Sequence, residues 1–261
     1  MKKGTGLKEM IQNPFLKKGV QSFVSFFVLA IVWCVLAWSV GNAYLLPSLK
    51  DTLKACGTLL KEQEFYTAVS ATVGRALLAF VISFASAVLL GVCSAVCKWI
   101  GEFFAPIISF LRSLPTMAVL LMILLWTNAS VAPVVIAWLV LFPMLYSSVL
   151  SAISSVDNKL IEMSSVYGVG ARRRITQLYL PTVFPIIGRD SGAALSFAMK
   201  LVVSAEVMSN TFQSMGGNMQ QASLYDQTPT LFALTLFVFL IGYLLECLTI
   251  FGVRLAERRF L

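Results

Sequence analysis

The sequence predicts an all-α, polytopic membrane protein of about six transmembrane helices, with both termini in the cytoplasm. Three observations carry this. Of the 261 residues, 58 % are hydrophobic and 12 % are charged, against roughly 45–50 % and about 25 % in soluble globular chains. The mean hydropathy is +0.85, and the apolar residues gather into runs near the about 20 residues that cross roughly 30 Å of hydrocarbon at 1.5 Å per residue. Basic residues collect in alternate gaps between those runs. The same composition excludes a disordered chain, which needs low hydrophobicity and high charge density.

The first run, Val20 to Val40, follows Lys2, Lys3, Lys8, Lys17 and Lys18. It is too long for the 7–15-residue apolar core of a signal peptide, so it reads as an uncleaved span. The second covers about Val73 to Val96, with Arg75 at its outer edge. No charge occurs from Ser113 to Val156, a stretch too long for one crossing. The polar break Thr127-Asn128-Ala129-Ser130 divides it into a third span, Ile107–Trp126, and a fourth, Val131–Leu150. Pro133 and Pro143 in the fourth are tolerable where neighbouring helices satisfy the freed carbonyls. The fifth, about Thr182–Ser204, carries Arg189 and Asp190 near its start and Lys200 near its end. The sixth, about Thr230–Val253, contains Glu246.

Lys and Arg set orientation. With the amino terminus inside, only Lys50, Lys54, Lys61, Arg75 and Lys200 fall outside the cytoplasmic segments. The net charge of +8 therefore records topology, and no nucleic-acid partner is implied. The chain reads as a cytoplasmic tail over 1–19, one transmembrane domain over 20–253 and a tail over 254–261. After Pro47, Ser48 and Asp51 form an S-x-x-D cap signal. Leu49, Leu53, Cys56 and Leu60 follow at helical spacing, so an amphipathic helix over about 48–64 should lie on the outer surface.

Histidine is absent, which removes the common zinc sites, the Ser-His-Asp triad and imidazole base catalysis. No metal or cofactor site and no catalysis is expected in this chain. The cysteines, Cys34, Cys56, Cys93, Cys97 and Cys247, read as small hydrophobes and imply no disulfide framework. An ionisable residue inside the membrane is a functional candidate because burying it is costly. Glu206 is the foremost, followed by Ser209, Asn210 and Thr211, which suits a wet wall near the outer side. Lys200 lies about 120° round the helix from it, so the two need not pair. The competing reading is that Glu206 makes a structural bond to a neighbouring helix; Arg75 and Arg112 could equally be orientation anchors.

The longest cytoplasmic loop, 157–181, is the most informative segment. Asp157 can cap a helix in which Leu160, Ile161, Ser164 and Tyr167 fall near one face, and Gly168 ends or bends it. A second short helix should run to Leu180, with Pro181 stopping it. Within this loop stand Glu162-Met163-Ser164, three residues, Gly168, nine residues, then Leu178-Tyr179-Leu180-Pro181.

That spacing resembles the E-A-A, three residues, G, nine residues, I-x-L-P pattern of the membrane subunits of binding-protein-dependent ABC importers. Met163 and Ser164 replace the alanines, and Leu178 replaces isoleucine. The resemblance continues through Leu45-Leu46-Pro47-Ser48, Thr72-Val73-Gly74-Arg75, Leu90-Gly91, Arg112-Ser113-Leu114-Pro115, Ala205-Glu206 and Met215-Gly216-Gly217, in the order seen in the nitrate, sulfonate, taurine and pyrimidine-precursor branch. Gly-Leu-Gly is usual there where Met215-Gly216-Gly217 stands.

The resemblance implies a type I ABC importer permease fold in a bacterial-type cytoplasmic (inner) membrane. It implies that Glu162, Met163, Ser164, Gly168, Leu178, Leu180 and Pro181 form the coupling loop docking on an ABC ATPase dimer. The implied partners are that ATPase, which binds the ATP, a second permease copy forming a homodimer, an extracytoplasmic solute-binding protein and the bilayer. Consistent with a separate ATPase, no G-x-x-x-x-G-K-[ST] sequence occurs. A possible translocation path is Glu206, Ser209, Asn210 and Lys200. The alternative is a stand-alone secondary transporter or channel, for which internal repeats would be expected; none is visible. A membrane-embedded enzyme lacks any supporting motif.

Overall fold

The structure is a computed structural model that describes residues 14–42 and 44–260. Residues 1–13, and with them Lys2, Lys3 and Lys8 of the expected tail, lie outside the described residues. Every described element is helical, as hydrocarbon demands of a chain whose backbone groups must be satisfied within it. The chain divides into two compact units, one holding the described part of Met1–Lys61 with Ala222–Ala233, the other Glu62–Gln221 with Leu234–Leu261.

In the first unit, α1 (Pro14–Val40) has 27 residues, about 40 Å at 1.5 Å per residue. Gly41, at φ +62°, follows its end. The chain is pinned back by Trp33, whose Nε1 donates to the Pro47 carbonyl at 3.1 Å. Trp33 also meets Phe232 edge to face, with centroids 5.3 Å apart. Helix α2 (Leu49–Leu59) starts where the cap signal places it: the Asp51 amide donates to Ser48 Oγ at 3.2 Å, and that hydroxyl donates to Asp51 Oδ2 at 2.7 Å. It is shorter than the expected 48–64, because Lys61 turns and a new helix begins at Gln63.

The second unit is built on α3 (Gln63–Val96), α6 (Ala132–Ser154) and α9 (Leu180–Ser209). The buried positions of α3 include Ala68, Thr72, Ala76, Ala79, Ser83, Ala87, Gly91 and Ser94, all small and three or four apart. Membrane helices approach closely along such stripes, because dispersion contacts replace the missing hydrophobic drive. At Gly91 a Cβ would stand 2.6 Å from Val149 Cγ1 of α6, so glycine sets the α3–α6 separation. Tyr146 donates its hydroxyl to Ser94 Oγ at 3.1 Å across the same contact.

The expected third span is not one helix. Helices α4 (Lys98–Ser113) and α5 (Thr116–Trp126) meet at 97°. Pro115 has no amide to continue α4 and forces Leu114 out of the α region, to ψ 129°. Leu120 and Ile123 of α5 pack with Ala132, Ile136 and Ala205. The fifth span also differs: it starts upstream of Thr182 and runs through Pro181. Helix α8 (Ala171–Arg174), a π-helical turn (Ile175–Tyr179) and α9 form one apolar helix, Arg172–Ser209. The wider π turn shifts the bonding register just ahead of Pro181, which then sits in the first turn of α9 where its missing amide costs little.

Helices α7 (Asn158–Val166), α10 (Met215–Leu224) and α11 (Thr228–Phe260) complete the chain. Four helices, Gln63–Val96, Ala132–Ser154, Arg172–Ser209 and Thr228–Glu257, are long and apolar enough to cross a membrane. The bent pair α4–α5 makes a fifth crossing if counted as one span. The apolar part of α1, Phe27–Val40, is shorter than these, so the described residues hold four or five such crossings where the sequence predicts about six.

Candidate functional site

Two places gather the sequence-marked residues. The first is the loop at 157–181. The Asp157 carboxylate accepts from the Lys159 amide at 2.9 Å and starts α7. Gly168 ends it at φ +65°, a conformation only glycine adopts freely. Arg174 then donates Nη2 to Ser165 Oγ at 3.0 Å and ties the second helix to the first. The face of α7 is unusual for a short helix outside the spans. Val166 is 85 % exposed, Tyr167 78 % and Met163 54 %, and Glu162 stands exposed among them. Exposed apolar groups rimmed by polar ones mark an interaction surface. Leu180 is exposed, and Leu178 and Pro181 are half-buried.

The second place is the polar knot around Glu206. Its side chain is completely buried. Thr72 donates Oγ1 to Glu206 Oε2 at 2.9 Å, Arg75 donates Nη1 to Oε1 at 2.8 Å, and the Gly216 amide donates to Oε2 at 3.2 Å. The Met215 amide in turn donates to Thr72 Oγ1 at 3.0 Å. Gly216 is required sterically: a Cβ there would overlap the Glu206 side chain and stand 2.6 Å from the Val203 carbonyl oxygen. A buried carboxylate is tolerable when paired and fully hydrogen-bonded, and this one is both.

Three separated motifs, Thr72-Val73-Gly74-Arg75, Ala205-Glu206 and Met215-Gly216-Gly217, therefore meet at one point. Sequence reasoning singled out Glu206 but left Thr72 and Arg75 without that partner. The available signal was Arg75 itself, a charge at the edge of an apolar run that needed a counter-charge. Of the other expected path residues, Lys200 and Asn210 are exposed. Asn210 ends α9 at φ 48°. Ser209 Oγ lies 2.7 Å from Thr211 Oγ1, which donates to the Ala129 carbonyl at 2.8 Å. Lys200 does not reach Glu206; the ion pair is with Arg75.

The long apolar helices are those of a multi-pass membrane protein. The family model for "binding-protein-dependent transport system inner membrane component" matches residues 87–260, and the chain belongs to that family. It is similar to a permease named for aliphatic sulfonates transport in Bacillus subtilis (strain 168), 25 % identical over 90 % of this chain and 84 % of that one. It is similar also to the taurine transport system permease protein of Escherichia coli K12, at 22 % identity over 89 % of this chain and 85 % of that one. Two solved structures share the fold. One is a bacterial ABC transporter for import of the acidic polysaccharide alginate, with TM-score 0.60 and 13 % identity over 97 % of this chain and 98 % of that one. The other is an amino acid ABC transporter, with TM-score 0.58 and 17 % identity over 75 % of this chain and 93 % of that one.

Proposed function

We propose that this chain is the path-forming subunit of an ATP-driven importer, working as a pair of copies in a bacterial cytoplasmic membrane. An extracytoplasmic binding protein hands it a small solute. A separate ATPase drives it through the 157–181 loop, where Glu162, Met163, Ser164, Gly168, Leu178, Leu180 and Pro181 shape the contact. The observation that carries this reading is the exposed apolar face of α7, with Val166 and Tyr167 at 85 % and 78 % exposure. In a loop outside the lipid, such a face is costly unless a partner covers it.

Closure of the ATPase pair would push on this loop. Because α8, the π turn and α9 form one continuous helix, the push would travel along its axis toward Glu206. Coupling is reciprocal, so docking of the loaded binding protein must bias the ATPase as well. Lys200, Ser209 and Asn210 retain exposure and are proposed to face the path. Glu206 has its oxygens occupied and is proposed to hold that wall in place. Two relatives named for sulfonates and taurine support a small solute bearing an anionic group.

The test is a pull-down from detergent-solubilised membranes, with ATP hydrolysis assayed in the eluate. The wild-type chain should bring an ATPase with it. The double variant Val166→Asp, Tyr167→Asp should purify equally well without one. An eluate from wild type that holds no ATPase would overturn the reading.

A further inference from the structure

One stripe of α9 stays open while the rest of that stretch is packed. Ala193, Phe197, Lys200 and Ser204, three or four positions apart and hence on one face, are exposed, whereas Ala194, Met199 and Val202 beside them are buried. Two contacts fix the depth of the stripe. At the end nearer the 157–181 loop, a Cβ on Gly188 would stand 2.5 Å from Val253 Cγ1, next to Arg254, where the apolar run of α11 ends. At the other end, just past Ser209, Thr211 donates to the Ala129 carbonyl in the polar break between α5 and α6. From Gly188 to Ser209 the helix covers about 32 Å, close to the roughly 30 Å of hydrocarbon. Lys200 stands about 18 Å from the first mark and about 14 Å from the second, near mid-depth.

An ammonium at that depth needs a counter-charge or water. The chain supplies no counter-charge. Among the described residues the ion pairs are Lys54–Asp51 and Arg75–Glu206, and no hydrogen bond engages Lys200. Helices α5, α6 and α10 carry no charged residue. Beyond Arg75, which Glu206 occupies, α3 carries none either. On α11, the acid inside the apolar run is Glu246, whose carbonyl is level with Gly192, about 12 Å along α9 from Lys200. Arg189 lies lower still, in a cleft with Asp190, Arg254 and Glu257 whose charges cancel. The level of Lys200 therefore holds one uncompensated positive charge. The side chain cannot snorkel out, because its four-carbon stem reaches about 6 Å and the helix end is about 14 Å away. It faces water.

We propose that Lys200 is the anion-selecting charge of the path. Its ammonium takes the anionic head of the solute at mid-depth, with the Ser204 hydroxyl one turn toward Ser209 and the Phe197 ring one turn toward Gly188. This inference rests on the path and the pair of copies proposed above, and it names the residue that discriminates. Basic side chains select anions in pores, and a cleft lined by one sign of charge concentrates ions of the other. In a two-fold pair the same patch is presented by both copies, which doubles the charge. Lysine suits a site of passage: its ammonium is a compact, hydrated point charge, without the two-pronged grip of arginine. The solute class that fits is a small organic anion with an apolar body. A cation is repelled, and a neutral solute gains nothing from Lys200.

The test is thiol labelling of a Ser204→Cys variant of the full chain in proteoliposomes. Two membrane-impermeant methanethiosulfonates are used, one bearing a sulfonate and one a trimethylammonium, each loaded on both faces by freeze–thaw. The mass of the peptide containing position 204 reads the modification, so the native cysteines stay. The ratio of sulfonate to ammonium rates cancels any change in the thiol itself. Relative to a free thiol in solution, that ratio should be raised about tenfold. Adding Lys200→Gln should remove the rise, and Lys200→Arg should keep it. Arg189→Gln and Glu246→Gln should leave it unchanged. No labelling by either reagent, or a ratio indifferent to Lys200→Gln, would overturn the proposal. So would a rise in Glu246→Gln, which would show that this carboxylate already holds the ammonium. If Lys200→Gln does not purify, the ratio in Ser204→Cys alone decides, and a value no higher than that of the free thiol overturns the proposal. The ATPase pull-down separates the two readings. An ATPase recovered beside an indifferent ratio sinks this inference alone, whereas a responsive ratio without an ATPase upholds Lys200 and removes the importer.

Discussion

Arg75 and Glu206 lie 131 positions apart in the chain, and their side chains stand 2.8 Å apart. The carboxylate is sealed from solvent, while the guanidinium keeps 17 % of its surface. Through Thr72 and the Gly216 amide, the same carboxylate ties α3, α9 and α10 together. Breaking one side of a buried pair costs about 3–5 kcal/mol, because the other charge is left uncompensated. Glu206→Ala and Arg75→Ala should each lower the unfolding temperature in detergent markedly. The double variant should cost clearly less than the sum. Additive losses would show that the two residues stabilise the fold independently.

Glycines 168 and 216 should fail differently. A Cβ at Gly168 meets nothing within 4 Å, so the only demand there is φ +65°. Gly168→Asn should therefore be mild, since asparagine tolerates that conformation, whereas Gly168→Val should cost about 1–2 kcal/mol of loop order. At Gly216 the obstacle is backbone and the Glu206 side chain. Gly216→Ala and Gly216→Asn should both be destabilising, by about 1–3 kcal/mol or more. Hydrogen exchange over 158–180 and over 203–220 separates the two effects.

What the sequence shows and what it hides follow from the range of the forces involved. The caps at Ser48 and Asp157 and the turn at Gly168 are local, fixed by a side chain within three residues of the amide it serves or by one φ angle, and they stand where the pattern puts them. The apolar runs are equally legible, because crossing hydrocarbon needs length and composition alone. The partner of Glu206 depends on which helices pack together, and one sequence leaves that choice open. The 97° turn after Ser113 is a middle case: Pro115 announces a break, but the direction of α5 comes from packing Leu120 and Ile123 against Ile136 and Ala205. Running α9 through Pro181 depends on a π turn, for which the sequence has no clear mark.

The break at Pro115 yields a prediction. Arg112, on the last turn of α4, donates to the Pro143 carbonyl at 3.1 Å and to the Ser147 hydroxyl, and so fixes that end against α6. Pro115→Ala restores an amide but leaves this tether and the α5 packing in place. The bend should persist, with thermal stability lowered by about 1 kcal/mol or less as the unfolded chain gains freedom. Arg112→Ala should cost more, since it removes both hydrogen bonds that hold α4 against α6, although the Pro143 carbonyl keeps the Ser147 hydroxyl as a donor. Thermal unfolding of both variants in one detergent ranks them; the reverse order would show that proline, not the tether, holds the bend.

Cys56 offers a check on orientation. It lies on α2, the helix proposed to rest on the outer surface, whereas Cys97 sits at the junction of α3 and α4, on the proposed inner side. Burial pushes the Cys56 thiol above its ordinary value, although a backbone hydrogen bond opposes this. The thiolate is the reactive form, so a raised value means less of it at neutral pH and a labelling rate that keeps climbing into the alkaline range. With a membrane-impermeant maleimide on sealed right-side-out vesicles, Cys56 should label slowly at pH 7 and several-fold faster at pH 9. A Cys56→Ser variant should lose that signal, and Cys97 should label only once the vesicles are opened. Labelling of Cys97 in sealed vesicles, with Cys56 silent at both pH values, would invert the topology and move the α7 face to the opposite side of the membrane from any ATPase.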